Sequence, residues 1–221
     1  MSVGINYLNL LLQGNVNFMA NILLIGGSPI HPSRSHGLLH YTQELLECQS
    51  ISCDVLLVRD LPAEALILGR FSSPILEYPK KLIKDADGLI IASPIYKGAY
   101  TGLLKSFLDL LPRGSLSNKV ILPLSTSITI NNFLAIDFTL KPVLAELGAT
   151  HILPSVFAVD VQLQRNEDGS FIPHIEVVMR LQKSLNELVD SLNLLRLKRN
   201  LNENFHKQSI VPNSIETGIK D

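Results

Sequence analysis

Cysteine is scarce in this chain, and so is charge. Its 221 residues include only Cys48 and Cys53. They show no metal-site or redox spacing, so both are expected reduced and buried, as in a cytosolic protein. Nineteen Lys and Arg against 20 Asp and Glu give a net charge of −1, which excludes the basic field of a nucleic-acid binder. Charged residues are 18% and hydrophobic residues 46%, a globular balance far from that of disordered chains. No apolar run approaches the roughly 20 residues of a membrane span. The six histidines are scattered and form no metal-site pattern. The Gly-Lys-Ser/Thr of a P-loop is missing, as is GxGxxG.

Targeting signals are equally sparse. No basic residue precedes the short apolar patch Leu8–Leu12, so no signal peptide is expected. Met19-Ala20 runs directly into the first apolar strand and looks like an alternative start. Residues 1–18 are therefore expected to be a poorly ordered extension. The tail from residue 197 onward mixes charge, Asn and Pro with few apolar residues, and is expected to be disordered. That leaves 19–196 as one α/β domain in a cytoplasmic protein.

What the chain does have is a strand–loop–helix segment, Ile22 to Leu39, reading ILLIGGSPIHPSRSHGLL. Ile22 to Ile25 is a buried strand, which Gly26 and Gly27 end with a sharp turn. Pro29 and Pro32 hold off the helix, which then starts at Ser33-Arg34-Ser35. Helix N-termini expose unpaired N–H groups at the positive end of the dipole, and so bind anions. Ser28, Ser33 and Ser35 add hydroxyls, and Arg34 adds a cation. No Asp or Glu lies between Asn21 and Gln43 to repel a phosphate. A plain surface turn with a serine N-cap has the same local sequence.

Further apolar runs follow at Cys53–Val58, Gly88–Ser93, Val120–Ser125, and in two pieces at His151–Leu153 and Val156–Val159. Helical patterns separate them, at Ser73–Asp85 (interrupted by Pro79), Tyr100–Leu111 and Asn131–Leu147, and a last one spans Ile175–Leu195. Asn166–Pro173 reads as a turn-rich loop. Five strands alternating with helices predict a parallel sheet with helices on both faces. Ligands of such sheets bind beyond the strand C-termini. The loops after strands one, three and four should then carry the site.

The loop after strand three, Ser93 to Gly102, holds two of the chain's five tyrosines, a lysine and two glycines. Tyr96 offers a wall for a planar ring, Lys97 a cation for an anionic edge, and Gly98 and Gly102 a close backbone approach. A structural turn with packed tyrosines is the alternative. The loop after strand four, Ser125–Asn132, offers Ser125, Thr126 and Ser127, or simply caps the next helix. In that helix Phe133, Ile136, Leu140, Val143, Leu144 and Leu147 form one apolar face, and Leu134 and Phe138 a second, which suggests a subunit interface. Pro142 should distort the helix at Phe138.

GGSPxxxSRS, then ADGLIIASPIYKGAYTGLLKSFLDLLP, then LAIDFTLKPVLAELGA together resemble the NADPH-dependent FMN reductases of two-component alkanesulfonate monooxygenase systems. The resemblance runs from about Ala20 to about Leu195. It implies a flavodoxin-like fold with strand order 2-1-3-4-5 and the reduction of FMN by NADPH, with hydride passing from nicotinamide C4 to flavin N5. The reduced flavin would be handed to a monooxygenase partner. The resemblance places Ser28, Ser33, Arg34 and Ser35 at the FMN phosphate, and Pro94, Ile95, Tyr96 and Lys97 beside the isoalloxazine, with Ser127 at the next loop. It implies no catalytic side chain and no metal. It also implies a homo-oligomer, a dimer or tetramer, built on the helix of Leu134 and Phe138, where sulfonate-linked members carry an aromatic residue at a π-bulge. Ser127 and Ile128 stand where the family usually has a Gly-Gly pair beside the ring. The flavodoxin-like fold equally hosts FMN-retaining quinone or azo reductases and non-catalytic electron carriers.

Overall fold

Runs of Ile, Leu and Val form a parallel sheet whose central strands are buried on both faces. The computed structural model describes residues 20–208. In chain order β1 is Asn21–Gly26, β2 Ser52–Leu57, β3 Gly88–Pro94, β4 Val120–Ser127, β5 His151–Ile152 and β6 Val156–Val159. The order across the sheet is β2-β1-β3-β4-β5, with β6 also pairing with β4. All of these pairings are parallel. The order is the expected flavodoxin-like one, and the fifth strand is broken as its sequence suggested. Every residue of β3 and β4 is buried, whereas the edge strand β2 is mostly part-exposed.

Helices cover both faces, as two-sided burial requires. They are α1 (Arg34–Glu47), α2 (Ala63–Ile67), α3 (Glu77–Asp85), α4 (Gly102–Asp109), α5 (Ala135–Glu146) and α6 (Ile175–Gln208). Leu38 and Leu46 of α1 and Val177, Leu181, Leu185 and Leu188 of α6 pack against Ile22, Leu24, Ile90 and Leu122. On the other face Leu66, Ile83, Leu104, Phe107, Ile136 and Leu140 pack against Leu23, Ile25, Leu89, Ile91 and Ile121. Alternate residues of each strand thus feed opposite cores. With all strands of this sheet parallel, the loops after β1, β3, β4 and β6 gather at one end.

Several local expectations change. Ser73–Asp85 splits into a 3₁₀ turn, Pro74–Leu76, and α3. Pro79 is the third residue of α3, in the first turn, where its missing N–H has no helical role. The predicted connection Arg59–Ser72 contains the short α2. A 3₁₀ turn at Ile130–Asn132 delays α5 to Ala135, and α5 is α-helical throughout, with no π-bulge at Phe138. Its end is a Schellman motif: Gly148 has φ +92°, its N–H bonds Ala145 O, and Ala149 N–H bonds Leu144 O.

The turn-rich loop Asn166–Pro173 is in part strand. β7 (Leu163–Arg165) and β8 (Phe171–Pro173) pair antiparallel, apart from the main sheet. Helix α6 does not stop at Leu195 but runs to Gln208, so the disorder expected from 197 gives way to helix over those residues. Arg196 pairs with Asp87, and Arg199 donates to Asn118 O, tying the extended helix to the base of the sheet. The expectations for 1–18 and for 209–221 lie outside the described residues. Cys48 is exposed and Cys53 half-buried, because Cys48 sits at the polar C-cap of α1 and Cys53 on the edge strand; the expected burial of both does not hold. Among the described residues no helix is long and apolar enough to cross a membrane.

Candidate functional site at the strand C-termini

The first loop is fastened to its neighbours through main chain. Gly27 N–H donates to Ala92 O on β3 at 2.8 Å. A Cβ at Gly27 would stand 2.9 Å from Leu104 Cβ, so only glycine lets α4 come this close. Thr101 completes the fastening. Its hydroxyl donates to Gly27 O and accepts from Leu104 N–H, which caps α4 while joining the loop after β1 to the loop after β3.

Ser28, Ser33 and Ser35 are all buried. Ser28 Oγ bonds the main chain of Ile30. Ser33 and Ser35 pair with each other, Oγ to Oγ, at 2.9 Å. Ser33 is the N-cap residue of α1, yet its side chain makes no capping bond and no acid lies in the first turn. The first N–H groups of a 14-residue helix therefore receive no side-chain acceptor, at the end of the dipole that favours an anion.

Arg34, the first residue of α1, is half-exposed. Its Nη1 lies 3.2 Å from Asp160 Oδ2, and its Cζ lies 5.9 Å from the centre of the Phe171 ring. Its Nε is buried without a hydrogen-bond partner. His36, two residues on, is also buried, and its ring lies against Gly26 with neither nitrogen in a well-formed hydrogen bond. Burial holds its pKa below 6.5, helped by Arg59 and His31 and opposed by Asp60 and the Gly26 backbone.

On the second loop, Tyr96 and Ala99 exchange N–H···O bonds of 2.8 and 3.2 Å, with Lys97 at φ +55° and Gly98 at φ +82°. Two central residues with positive φ are the mark of a type I′ turn. The turn presents Tyr96 and Lys97 to solvent, while Pro94 and Ile95 are buried. Ile95 N–H donates to Thr126 O at 2.8 Å, which ties this loop to β4. On the third loop, Ser125 Oγ is buried without a partner. Ser127 is buried, and its Oγ accepts from Asn132 Nδ2 at 2.7 Å, whereas Ile128 is 80% exposed. The Ser127 side chain is thus turned inward.

The structure therefore brings Ser28, Ser33, Arg34 and Ser35 together on one loop, with Pro94–Lys97 and Ser127 on the two loops next to it. Leu134 and Phe138 are elsewhere, outward at the N-cap and in the first turn of α5, at 51% and 75% exposure. Sequence reasoning missed Thr101 and Asp160. Thr101 had a readable signal, as a threonine directly before a helical Gly-Leu-Leu. Asp160 had none, since only the fold sets it beside Arg34.

An open cavity of about 420 Å³ lies at the opposite end of the strands, lined by Lys80, Ile83, Lys84, Leu111, Arg113 and Lys119 among others. It is not the candidate site. The buried Lys119 ammonium donates to Lys84 O and Ala86 O, closing the end of α3. Among the described residues, no group of three or more His, Cys, Asp or Glu is placed to hold a metal ion.

This geometry suits a ligand with an anionic end and a flat body. The uncapped N-terminus of α1 and Arg34 Nε offer donors on one loop, and the Tyr96–Ala99 turn stands on the loop next to it. Comparison with known proteins points the same way. Residues 20–164 match the family model of NADPH-dependent FMN reductase. An FMN reductase (NADPH) of Pseudomonas putida KT2440 is 36% identical over 178 residues, covering 80% of this chain and 89% of the relative. One from Escherichia coli K12 is 42% identical over 156 residues, covering 70% and 82%. Among solved structures, the apo form of the NADH:FMN oxidoreductase EMOB superposes with a TM-score of 0.65 at 33% identity, covering 81% of this chain and 89% of that one.

Proposed function

The chain belongs to the NADPH-dependent FMN reductase family, and from that premise we propose that it reduces FMN with NAD(P)H and releases the product to a flavin-dependent monooxygenase. Ser28, Ser33, Arg34 and Ser35 hold the phosphate. Pro94, Ile95, Tyr96 and Lys97 border the isoalloxazine, and Ser127 contributes at the end of β4. One observation carries the reading: the uncapped first turn of α1 and the unpartnered Arg34 Nε lie on a loop that Thr101 fastens to the Tyr96 turn. A phosphate dianion supplies the acceptors that these donors are missing.

When both are bound, flavin and nicotinamide supply the hydride chemistry themselves. The chain's own residues bind, orient and exclude water. The bonds Gly27–Ala92, Thr101–Gly27 and Ile95–Thr126 lock three loops into one rim, so the phosphate grip fixes where the ring lies. The turn at Lys97-Gly98 holds the Tyr96 backbone rigidly at that rim.

NADPH oxidation at 340 nm, followed with and without added FMN, tests the reading. Turnover that depends on added FMN supports a flavin reductase. Quinone turnover by a yellow protein that keeps its FMN overturns it in favour of a quinone or azo reductase. Absence of NADPH oxidation overturns it in favour of an electron carrier. The reading includes a cytoplasmic protein that pairs with a second copy through the exposed Leu134 and Phe138, which are apolar and one helical turn apart.

A further inference from the structure

We propose that Asp160 and Phe171 are positioning residues that aim Arg34 at the phosphate and so set the preference for FMN over riboflavin. The proposal rests on the phosphate-loop reading above and extends it to a segment outside that loop.

The two residues meet Arg34 from different sides. Asp160 follows directly on β6 and takes one terminal nitrogen of the guanidinium, Nη1, at 3.2 Å. Arg34 Cζ stands over the ring of Phe171, on β8, 5.9 Å from its centre. A guanidinium has five N–H donors in a fixed fork. Nη1 is taken up by Asp160 and Cζ stands over the Phe171 ring, while the Nε–H remains buried without an acceptor.

The chain is shaped for this contact. Gly37 lies within α1, where glycine weakens a helix. A Cβ there would come within 2.5 Å of the Phe171 ring. The missing side chain is what allows the ring to sit on the first turns of α1. The hairpin carrying Phe171 is itself anchored. Leu163 is buried in the core, and His174 N–H donates to Gln162 O at 2.7 Å. Phe171 also lies beyond residue 164, where the family match ends.

Asp160 acts in two opposing ways, and this makes the proposal testable. Its carboxylate orients Arg34, which favours phosphate binding, but its charge repels the phosphate. A mere counter-charge has only the second effect. A double-mutant cycle on the full-length protein, read by flavin fluorescence titration with FMN and with riboflavin, separates them. Asp160→Asn should weaken FMN binding about tenfold in the wild-type background, the size of one charge-assisted hydrogen bond. In the Arg34→Ala background the same change should tighten it. Phe171→Leu should also weaken FMN binding, and Phe171→Tyr, which keeps the ring, should restore it. Riboflavin affinity should stay within about twofold throughout, since it carries no phosphate.

Tighter FMN binding by Asp160→Asn in both backgrounds overturns the proposal, and so does equal loss of FMN and riboflavin in Asp160→Asn and Phe171→Leu. Failure of the underlying reading looks different: the wild type then binds FMN no better than riboflavin, and Arg34→Ala changes neither.

Discussion

At the residue scale the proposed phosphate loop is held by groups whose protonation and size leave little latitude. His36 is the plainest case. Burial lowers its folded-state pKa below 6.5, so the unfolded chain takes up a proton more readily than the folded one. Its contribution to stability is therefore present above about 6.5 and is lost as pH falls through the folded value. Thermal denaturation should show a lower Tm at pH 5.5 than at pH 7.5, and His36→Gln should narrow that gap. An unchanged gap contradicts the assignment. Gly27 is a second case. Its added Cβ would meet Leu104 Cβ, which is not a flexible chain end. Gly27→Ala should cost about 1–3 kcal/mol in urea unfolding, the usual penalty of overpacking. The three serines and Arg34 were legible in the sequence because they crowd one strand end. Thr101 reaches Gly27 across 74 positions, and Asp160 reaches Arg34 across more than a hundred. The capping position of Thr101 is readable locally, but contacts that distant leave no local pattern.

At the element scale, periodicity identified the main strands and helices and misplaced their ends. Proline explains much of the error. Pro79 looked like an interruption but falls in the first turn of α3, where it is tolerated. Short elements escaped altogether: α2 has five residues and β8 three, too few to show a period. Helix α6 outran its amphipathic stretch because Arg196 and Arg199 bond to the loops beneath it. Capping was legible, and it gives a prediction. Gly148 has φ +92°, and a Cβ there would stand 2.6 Å from Ser117 Oγ. Gly148→Ala should destabilise by about 1–3 kcal/mol, through left-handed strain and crowding. Denaturant midpoints within experimental error of wild type contradict this. Helix α5 also carries the expected pairing face. Phe138→Glu places a charge on it and should lower the mass seen by sedimentation velocity. An unchanged mass moves the interface elsewhere.

At the scale of the whole molecule, alternation of strands and helices sufficed for the architecture, since a parallel sheet needs cover on both faces and the crossovers are helical. It did not by itself place the site. The candidate site follows from which loops share the C-terminal end of the sheet, and the structure joins those loops through Gly27, Thr101 and Ile95. The central claim is that this rim grips a flavin by its phosphate. Fluorescence titration of FMN and riboflavin against the wild type and the Arg34→Ala/Ser35→Ala double variant tests it most directly. The account predicts tighter binding of FMN than of riboflavin by the wild type, and loss of most of that difference in the double variant. Equal affinity for the two flavins in the wild type, or an undiminished preference in the variant, contradicts it.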